Sequence, residues 1–286
     1  MKVLVIGSSV CDVIIRVHRI PQSGEDENII SQCLQIGGCA FNVASQLKYF
    51  DIPFDLFSPI GTGVYGTFVR QFFERENIPI LLETSKPNGC CYCLVEDDGE
   101  RTFICEHGGE YLFQKEWFSM LNPHDYEYVY VCGLELEETT GDVILDFLEA
   151  HSHFQIVFAP SSRIHAIEHH KMQRILSLHP IIHISESEIL QYTHSLDLQT
   201  AAMTLYQKTH HMIIVTLGEK GCYVYDGKHH YAKGEKVQVV DTIGAGDSHA
   251  GAMIASLSQG KTIEEAMIIA NHIASLVVQQ KGAKMK

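Results

Sequence analysis

The sequence is short of positive charge, and this shortage excludes two classes of partner. Its 286 residues include 21 lysines and arginines against 35 aspartates and glutamates, a formal net charge of −14. A surface with this balance repels nucleic acid and anionic membranes. It still allows a local positive pocket for a small anion, so we expect a small-molecule ligand.

Long hydrophobic runs are also absent. No apolar stretch approaches the roughly 20 residues that a membrane-spanning helix needs. The first apolar run, KVLVIG at 2–7, is soon followed by Asp12 and is too short for the hydrophobic region of a signal peptide. It predicts a buried first strand instead.

The cysteines lack the spacing of a disulfide or metal framework. There are nine, an odd number, and several stand inside apolar, strand-like runs. Cys90 and Cys93 form a C-x-x-C pair, but no second pair follows at zinc-ribbon distance. Scattered cysteines of this kind are typical of reduced thiols, which predicts a cytoplasmic protein.

What the chain does have is a regular alternation of strand-like and helix-like segments. This alternation predicts one α/β domain over 1–286, with a mostly parallel central sheet and helices on both faces. Strands are predicted at 2–7, 53–60, 126–133, 155–160, 180–185 and 211–218, and helices at 39–50, 67–76, 142–150, 164–178, 247–258 and 262–278.

Two stretches break the alternation, at about 12–36 and 88–106. Both have strand character with no helix between the strands, and the second is typical of a hairpin that turns at Asp98-Gly99. We expect the two insertions to pair into a small β lid over the open end of the main sheet.

The segment VVDTIGAGDSHAGAMIASL at 239–257 places two glycines directly before an acid and an apolar helix. Gly244 and Gly246 allow unusual backbone geometry and carry no Cβ that would block a ligand. The helix is predicted to begin near Asp247, and its first amide groups would stabilise an oxyanion. An ordinary capped helix after a glycine turn remains the alternative.

A second glycine motif, GGCAFN, opens the helix at 39–50. Its paired glycines, Gly37 and Gly38, let hydroxyl groups approach the backbone, and the Asn42 amide both donates and accepts hydrogen bonds. Taken alone, the motif is more typical of a glycine turn before a helix, with Asn42 merely exposed.

Together, D-T-x-G-A-G-D and G-G-x-x-x-N resemble the two signatures of the ribokinase-like PfkB family of carbohydrate kinases. The resemblance runs from the first strand to KGA at 281–283. It implies a ribokinase-like, Rossmann-type three-layer fold and ATP-dependent phosphorylation of a CH2OH hydroxyl group on a sugar or nucleoside. Asp247 would be the base, and the turn Gly244, Ala245 and Gly246 the anion hole.

The resemblance also implies binding residues. The residues expected to contact the substrate are Asp12, Gly37, Gly38, Asn42 and Glu135. Glu137 and Glu138 are alternatives to Glu135 for this role. The motif TLGEKG implies ATP contacts at Thr216, Gly218 and Gly221; the alternative for this motif is a strand that ends in a tight turn. Asn271 would lie near the adenine, with an exposed Asn on a helix as the alternative.

For metal ions, the family pattern implies Mg²⁺ held through water by Glu188 and a monovalent cation, K⁺, beside Asp241. Two positions depart from the pattern: Ser185 stands in place of an Asn, and Ala159 in place of a polar residue. These departures leave the metal shell undecided.

Cys39 stands where several sugar and phosphosugar kinases carry Lys, which favours a neutral sugar or nucleoside. Members of the family also often dimerise through their lid strands, and the apolar face at 89–105 suits such a homodimer.

The sequence also allows two rival functions. One is a non-catalytic sugar or nucleotide sensor on the same fold. The other is a nicotinamide-dependent oxidoreductase, which rests only on the glycine pattern GTGVYG at 61–66. His249 is predicted to pack or to lie on the surface, with a substrate contact as the alternative.

Overall fold

The computed structural model describes residues 1–280, which form two compact units. The first contains Met1–Gly7, Cys39–Phe57 and the chain from Leu112 onward; the second contains Ser8–Gly38 and Ser58–Tyr111. The match to the family at 281–283 lies outside the described residues.

Strands and helices alternate along most of this chain. The strands are β1 (Lys2–Ile6), β2 (Val10–Arg16), β3 (Ser31–Gly37), β4 (Phe54–Phe57), β5 (Pro59–Thr62), β6 (Leu82–Pro87), β7 (Cys90–Val95), β8 (Arg101–Glu106), β9 (Tyr126–Cys132), β10 (Gln155–Ala159), β11 (Ile181–Ser185), β12 (Ile213–Thr216), β13 (Gly221–Tyr225) and β14 (His229–Lys233). The helices are α1 (Cys39–Tyr49), α2 (Gly63–Arg75), α3 (Lys115–Phe118), α4 (Gly133–Glu137), α5 (Gly141–Glu149), α6 (His169–Ser177), α7 (Glu186–Thr193), α8 (Leu198–Thr209), α9 (Ala245–Ser258) and α10 (Ile263–Val277).

An eight-stranded sheet forms the centre of the first unit, in the order β14-β13-β12-β11-β10-β9-β1-β4. In this sheet β4, β1, β9, β10, β11 and β12 pair in parallel, each with the next. Strands β13 and β14 add an antiparallel edge beside β12. The central strands are continuous apolar runs, and Val3–Ile6 and Val129–Cys132 are almost completely buried. Strands of this kind are buried on both faces, which requires a helical layer on each side.

The helices of the first unit supply those layers. Helix α9 packs on both α1 and α10, and α5, α6, α8 and α7 form a second packed series in that order. The predicted three-layer α/β fold with a mostly parallel sheet is therefore confirmed. The contact between α1 and α9 is close, because a Cβ added at Gly251 would lie 2.7 Å from the Cβ of Gln46.

The second unit contains a four-stranded sheet, which we call the lid sheet, in the order β3-β2-β7-β8. Strands β2 and β7 are parallel, and the other pairs are antiparallel. The hairpin predicted at Asp98-Gly99 joins β7 to β8, and Gly99 has the positive φ, 89°, that its turn requires. A buried carboxylate, Glu110, accepts hydrogen bonds from the amides of Gly89 and Gly108 at the base of this hairpin.

Two of the differences between the structure and the sequence-based assignments have a clear physical reason. The single strand predicted at 53–60 is two strands, β4 and β5, which belong to different sheets; the buried Ser58 between them donates a hydrogen bond to Ser9. The helix predicted at 164–178 begins only at His169, because Ser161 adopts a left-handed conformation (φ 65°) and the residues after it form turns.

Within residues 1–280, no helix is both long enough and apolar enough to cross a membrane. All nine cysteines are free thiols.

Candidate active site

The N-terminus of α9 exposes unpaired backbone donors. Gly244 adopts a left-handed conformation (φ 70°), and its carbonyl accepts the Ser248 amide at 2.8 Å. The Ala245 amide makes only a long turn bond of 3.3 Å to the Thr242 carbonyl. Among the described residues, the amides of Gly246 and Asp247 have no protein acceptor. The turn therefore offers two free donors and one weakly engaged donor at the positive end of a helix.

Asp247 lies in the first turn of this helix and is half-buried. Its Oδ2 accepts a hydrogen bond of 2.8 Å from Nδ2 of Asn42. Burial raises the pKa of Asp247 above its ordinary value, hydrogen bonds from Asn42 and Cys39 lower it, and the nearby charge of Glu188 raises it. The net effect is upward, which gives this carboxylate a greater affinity for a proton than an exposed Asp.

Asn42 reaches Asp247 from α1. Its side chain is buried, with 4% exposure, and its Oδ1 has no partner among residues 1–280. The exposed asparagine that the motif alone allowed is not what the structure contains. Asn42 therefore forms a direct hydrogen bond to the Asp247 carboxylate, a contact that the sequence did not predict.

A cavity of about 500 Å³ lies next to the α9 N-terminus. Its size is typical of a pocket for a small ligand or cofactor. The cavity brings together four residues predicted to bind ATP with two of the predicted anion hole. These are Thr216, Gly218, Gly221 and Asn271 with Ala245 and Gly246.

Local geometry explains this convergence. Thr216 is the last residue of β12, and Gly218 (φ 59°) and Gly221 (φ 107°) bound a single helical turn before β13. Asn271 is buried rather than exposed, and its Nδ2 donates to the carbonyls of Ala232 and Lys233. The residues thus form the cavity wall through backbone turns and one buried amide.

His249 also lines this cavity, and the sequence left its role open. It is 2% exposed, and its Nδ1 lies 2.9 Å from Nε2 of His183 on β11. Burial lowers the pKa of His249 to about 4 and that of His183 well below its ordinary value, so both rings are neutral at pH 7.

The predicted metal residues have structural partners. Ser185 and Glu188 form a capping box at the start of α7: the Glu188 amide donates to Ser185 Oγ, and Glu188 Oε2 accepts the Ser185 amide at 2.9 Å. Asp241 is buried, and its Oδ1 accepts the Ile243 amide at 2.7 Å. Residues 1–280 contain no cluster of three or more His, Cys, Asp or Glu side chains suited to a metal ion.

Glu135, the remaining predicted substrate contact of the first unit, is completely buried on α4. A Cβ added at Gly7 would lie 3.2 Å from its carboxyl carbon. The glycine therefore makes room for this acid.

The other predicted substrate residues belong to the second unit. Asp12 lies on β2, and a Cβ added at Gly37 would come within 2.0 Å of its Oδ2. Gly38 has a φ of 99°, and a Cβ there would meet the Ser8 carbonyl at 2.5 Å. Neither position has room for a Cβ atom, so both require glycine.

The glycine pattern at 61–66 has a packing explanation. The Gly61 amide donates to the Asn88 side chain at 2.6 Å, and a Cβ at Gly66 would meet the Gly61 carbonyl at 2.4 Å. Nothing in this arrangement favours a dinucleotide.

Comparison with known proteins decides the family. A profile described as "pfkB family carbohydrate kinase" matches residues 1–285. The chain belongs to the pfkB family of carbohydrate kinases. It is therefore an enzyme of that class, in a family whose members use ATP, and the sensor and oxidoreductase alternatives fall away.

Relatives of this pfkB family member differ in substrate. The chain is 32% identical over 290 residues to a protein described as uncharacterized sugar kinase YegV of Escherichia coli (strain K12), covering 98% of this chain and 89% of that protein. It is 27% identical over 268 residues to a nucleoside kinase of Thermoplasma acidophilum, covering 93% and 86%. A crystal structure of ribokinase from Thermotoga maritima superposes with a TM-score of 0.84 at 23% identity, covering 99% and 95% of the two chains.

Proposed function

We propose that this kinase transfers the γ-phosphoryl group of ATP to the CH2OH hydroxyl of a neutral sugar or a nucleoside, with Asp247 as the general base. The observation that carries the proposal is the arrangement at the α9 N-terminus. A carboxylate of raised pKa stands in the same turn as two amides without protein acceptors.

In this mechanism Asp247 accepts the proton of the substrate hydroxyl as its oxygen attacks phosphorus. Asn42 holds the carboxylate at 2.8 Å and so fixes its direction. The amides of Gly246 and Asp247, with that of Ala245, stabilise the negative charge of the transferred group, and Gly244 shapes the turn that aims them. Donors preorganised in this way need no rearrangement during the reaction.

The cavity beside this turn is the proposed nucleotide site. Thr216, Gly218 and Gly221 would contact the phosphates and Asn271 the wall around the adenine. Gly246 lines the same cavity, so a nucleotide bound there has its phosphates near the proposed anion hole.

The residues present fit an Mg²⁺ ion that is held mainly by phosphate and water, as is common for this ion. Glu188 is half-buried near Asp247, and its Oε1 has no protein partner among residues 1–280, so it would hold the ion through water. When bound, Mg²⁺ neutralises charge on the phosphoryl oxygens. Asp241 is the proposed neighbour of a K⁺ ion, and the assay below is therefore run with and without potassium.

Substrate binding is assigned to Asp12, Gly37, Gly38, Asn42 and Glu135. Cys39 adds no positive charge at the glycine motif, which supports a neutral substrate.

Two further proposals concern the whole protein. We propose that it forms a homodimer through the lid sheet. We also propose that it is located in the cytoplasm, a reducing compartment in which free thiols such as these persist.

The deciding experiment measures ATP consumption across a panel of neutral sugars, phosphosugars and nucleosides. We expect turnover with one neutral compound, and Asp247→Asn to lower that turnover by at least ~10²-fold, the lower end of general-base effects. Asp51→Asn, an exposed change at the end of α1, is the control. Near-normal turnover by Asp247→Asn would remove Asp247 from its role.

A further inference from the structure

Two thiols of the lid sheet lie in contact outside the proposed catalytic machinery. Cys105 Sγ donates a hydrogen bond to Cys91 Sγ at 3.2 Å. The two residues are aligned partners in the antiparallel pair formed by β7 and β8. Aligned partners present their side chains on the same face of a sheet, at a separation that a small movement can convert to disulfide geometry.

The surroundings permit that movement. Strand β8 is an edge strand of the lid sheet, so only β7 restrains it within the sheet. Cys105 is exposed and Cys91 is half-buried. An oxidant in solution can therefore reach Cys105 first, and the partner thiol already lies beside it.

The same row of the sheet contains a proposed substrate residue. Asp12 on β2 is the aligned partner of Cys91 across the parallel pair of β2 and β7. Asp12, Cys91 and Cys105 thus stand side by side on one face.

We propose that Cys91 and Cys105 are a redox modification site, at which a low-molecular-weight disulfide such as oxidised glutathione forms a reversible cross-strand disulfide that weakens substrate binding. The second half of this statement rests on the proposed function of Asp12. The first half, formation of the bond, does not depend on the reaction that the enzyme catalyses.

The exchange proceeds in two balanced steps. The Cys105 thiolate attacks one sulfur of the oxidised glutathione, which forms a mixed disulfide and releases one glutathione thiolate. The Cys91 thiolate then attacks the Cys105 sulfur, which forms the cross-strand bond and releases the second glutathione. The two cysteines lose two electrons and two protons, and the two glutathione molecules gain them. Excess reduced glutathione reverses both steps.

The disulfide would change the position of Asp12. Closing the sulfur–sulfur contact draws β8 towards β7 and moves Cys91, which is the immediate neighbour of Asp12. A carboxylate that binds sugar hydroxyls depends on direction, so we expect the Michaelis constant to rise more than the turnover number falls.

The test incubates the whole protein with oxidised glutathione and maps the linked peptides by mass spectrometry without reduction. We expect a peptide pair joined through Cys91 and Cys105 in the wild type and in Cys33→Ser, and none in Cys105→Ser. Cys33 is the matched control, because it is an exposed cysteine on the other edge strand of the lid sheet. Glutathione bound singly to Cys105 in the wild type, with no linked pair, would overturn the proposal.

Kinetics with the substrate found in the panel assay test the second half. Oxidised wild type should show a Michaelis constant raised by about 5-fold or more, the lower limit of typical coupling between sites. Reduced glutathione should restore it, and Cys105→Ser should not respond. A linked pair with unchanged kinetics would refute the effect on binding. If no compound in the panel is phosphorylated, the proposed function fails, while the linked peptide still decides whether the disulfide forms.

Discussion

Asp247 owes its proposed reactivity to residues that are distant in the sequence. Asn42, which lies 205 positions away, donates to its Oδ2, and Glu188 contributes an unfavourable negative charge. The first contact favours the ionised carboxylate, whereas the second and burial favour the protonated form. The balance between them sets the pH at which the base begins to function.

Removing the Asn42 contact should therefore shift the pH dependence of activity. Asn42→Ala deletes the hydrogen bond that lowers the pKa of Asp247, so the carboxylate should hold its proton to a higher pH. We expect the acidic limb of kcat/KM to move to higher pH, because that limb reports the free enzyme. Ser45→Ala, on the same helix, should leave the profile unchanged, since within residues 1–280 Ser45 Oγ bonds only the Phe41 carbonyl. An unshifted acidic limb in Asn42→Ala would show that Asn42 does not control the base.

At the scale of elements, α9 combines two kinds of glycine. Gly246 faces open space, because a Cβ there would meet no atom of residues 1–280 within 4 Å apart from its chain neighbours and its own helix backbone, whereas Gly251 lies tightly against α1. The first glycine leaves space for a ligand and the second leaves space for a neighbouring helix. A single helix therefore separates the requirements of chemistry from those of packing.

The two glycines should respond differently to alanine. Gly246→Ala should leave the free energy of unfolding unchanged or raise it by up to about 1 kcal/mol, since Ala is the better helix former. Its Cβ would stand where the phosphoryl group is proposed to lie, so turnover should fall. Gly251→Ala should destabilise the fold by about 1–3 kcal/mol through overpacking. Denaturant unfolding and the ATP assay together measure both effects; a stable and fully active Gly246→Ala enzyme would contradict the proposed anion site.

The sequence predicted the elements with strong local signals and missed those defined by distant partners. The main parallel strands, α1, α9 and α10 follow from apolar runs and glycine turns. The division of 53–60 into β4 and β5 depends on sheets formed elsewhere in the chain. The capping box of Ser185 and Glu188 was readable from the spacing S-x-x-E, and it gives these residues a structural role beside the proposed one. The contact of His249 with His183 joins segments 66 positions apart and has no local signal.

At the scale of the whole molecule, this histidine pair makes stability depend on pH. Both rings have lowered pKa values in the folded state, whereas in the unfolded chain each binds a proton near its ordinary value of 6.5. The unfolded state therefore binds more protons as the pH falls below 6.5. The contribution of the two histidines to the free energy of unfolding is therefore complete above pH 6.5. It declines as the pH falls towards about 4, the pKa of His249 in the folded state.

Chemical denaturation at about pH 7.5 and about pH 5.5 measures this decline. We expect the loss of unfolding free energy between the two pH values to be smaller in the double variant His183→Leu, His249→Leu than in the wild type. His165→Gln, an exposed change, should keep the wild-type difference. If the double variant also keeps it, other groups are responsible for the acid sensitivity.

The proposed dimer is tested at the same scale. Several large apolar side chains of the second unit are exposed, and burial in an interface would remove them from water. Ile104→Lys on β8 should convert a dimer into a monomer in sedimentation velocity, because a buried interface does not accept an unpaired charge. Leu196→Lys, an equally apolar exposed residue of the first unit, should not. A monomeric wild type would contradict the interface. The exposed apolar residues of the second unit are Ile29, Ile30, Leu34, Val64, Phe103 and Ile104.

The capping box at the start of α7 has a consequence for how such sequences diverge. One oxygen of Glu188 bonds the Ser185 amide, and the other is the one proposed to serve the metal ion. Selection for a folded chain and selection for a working enzyme would then act on the same codon. A lineage that abandoned catalysis would still retain this glutamate, so its presence alone would not distinguish a living kinase from its inactive descendant.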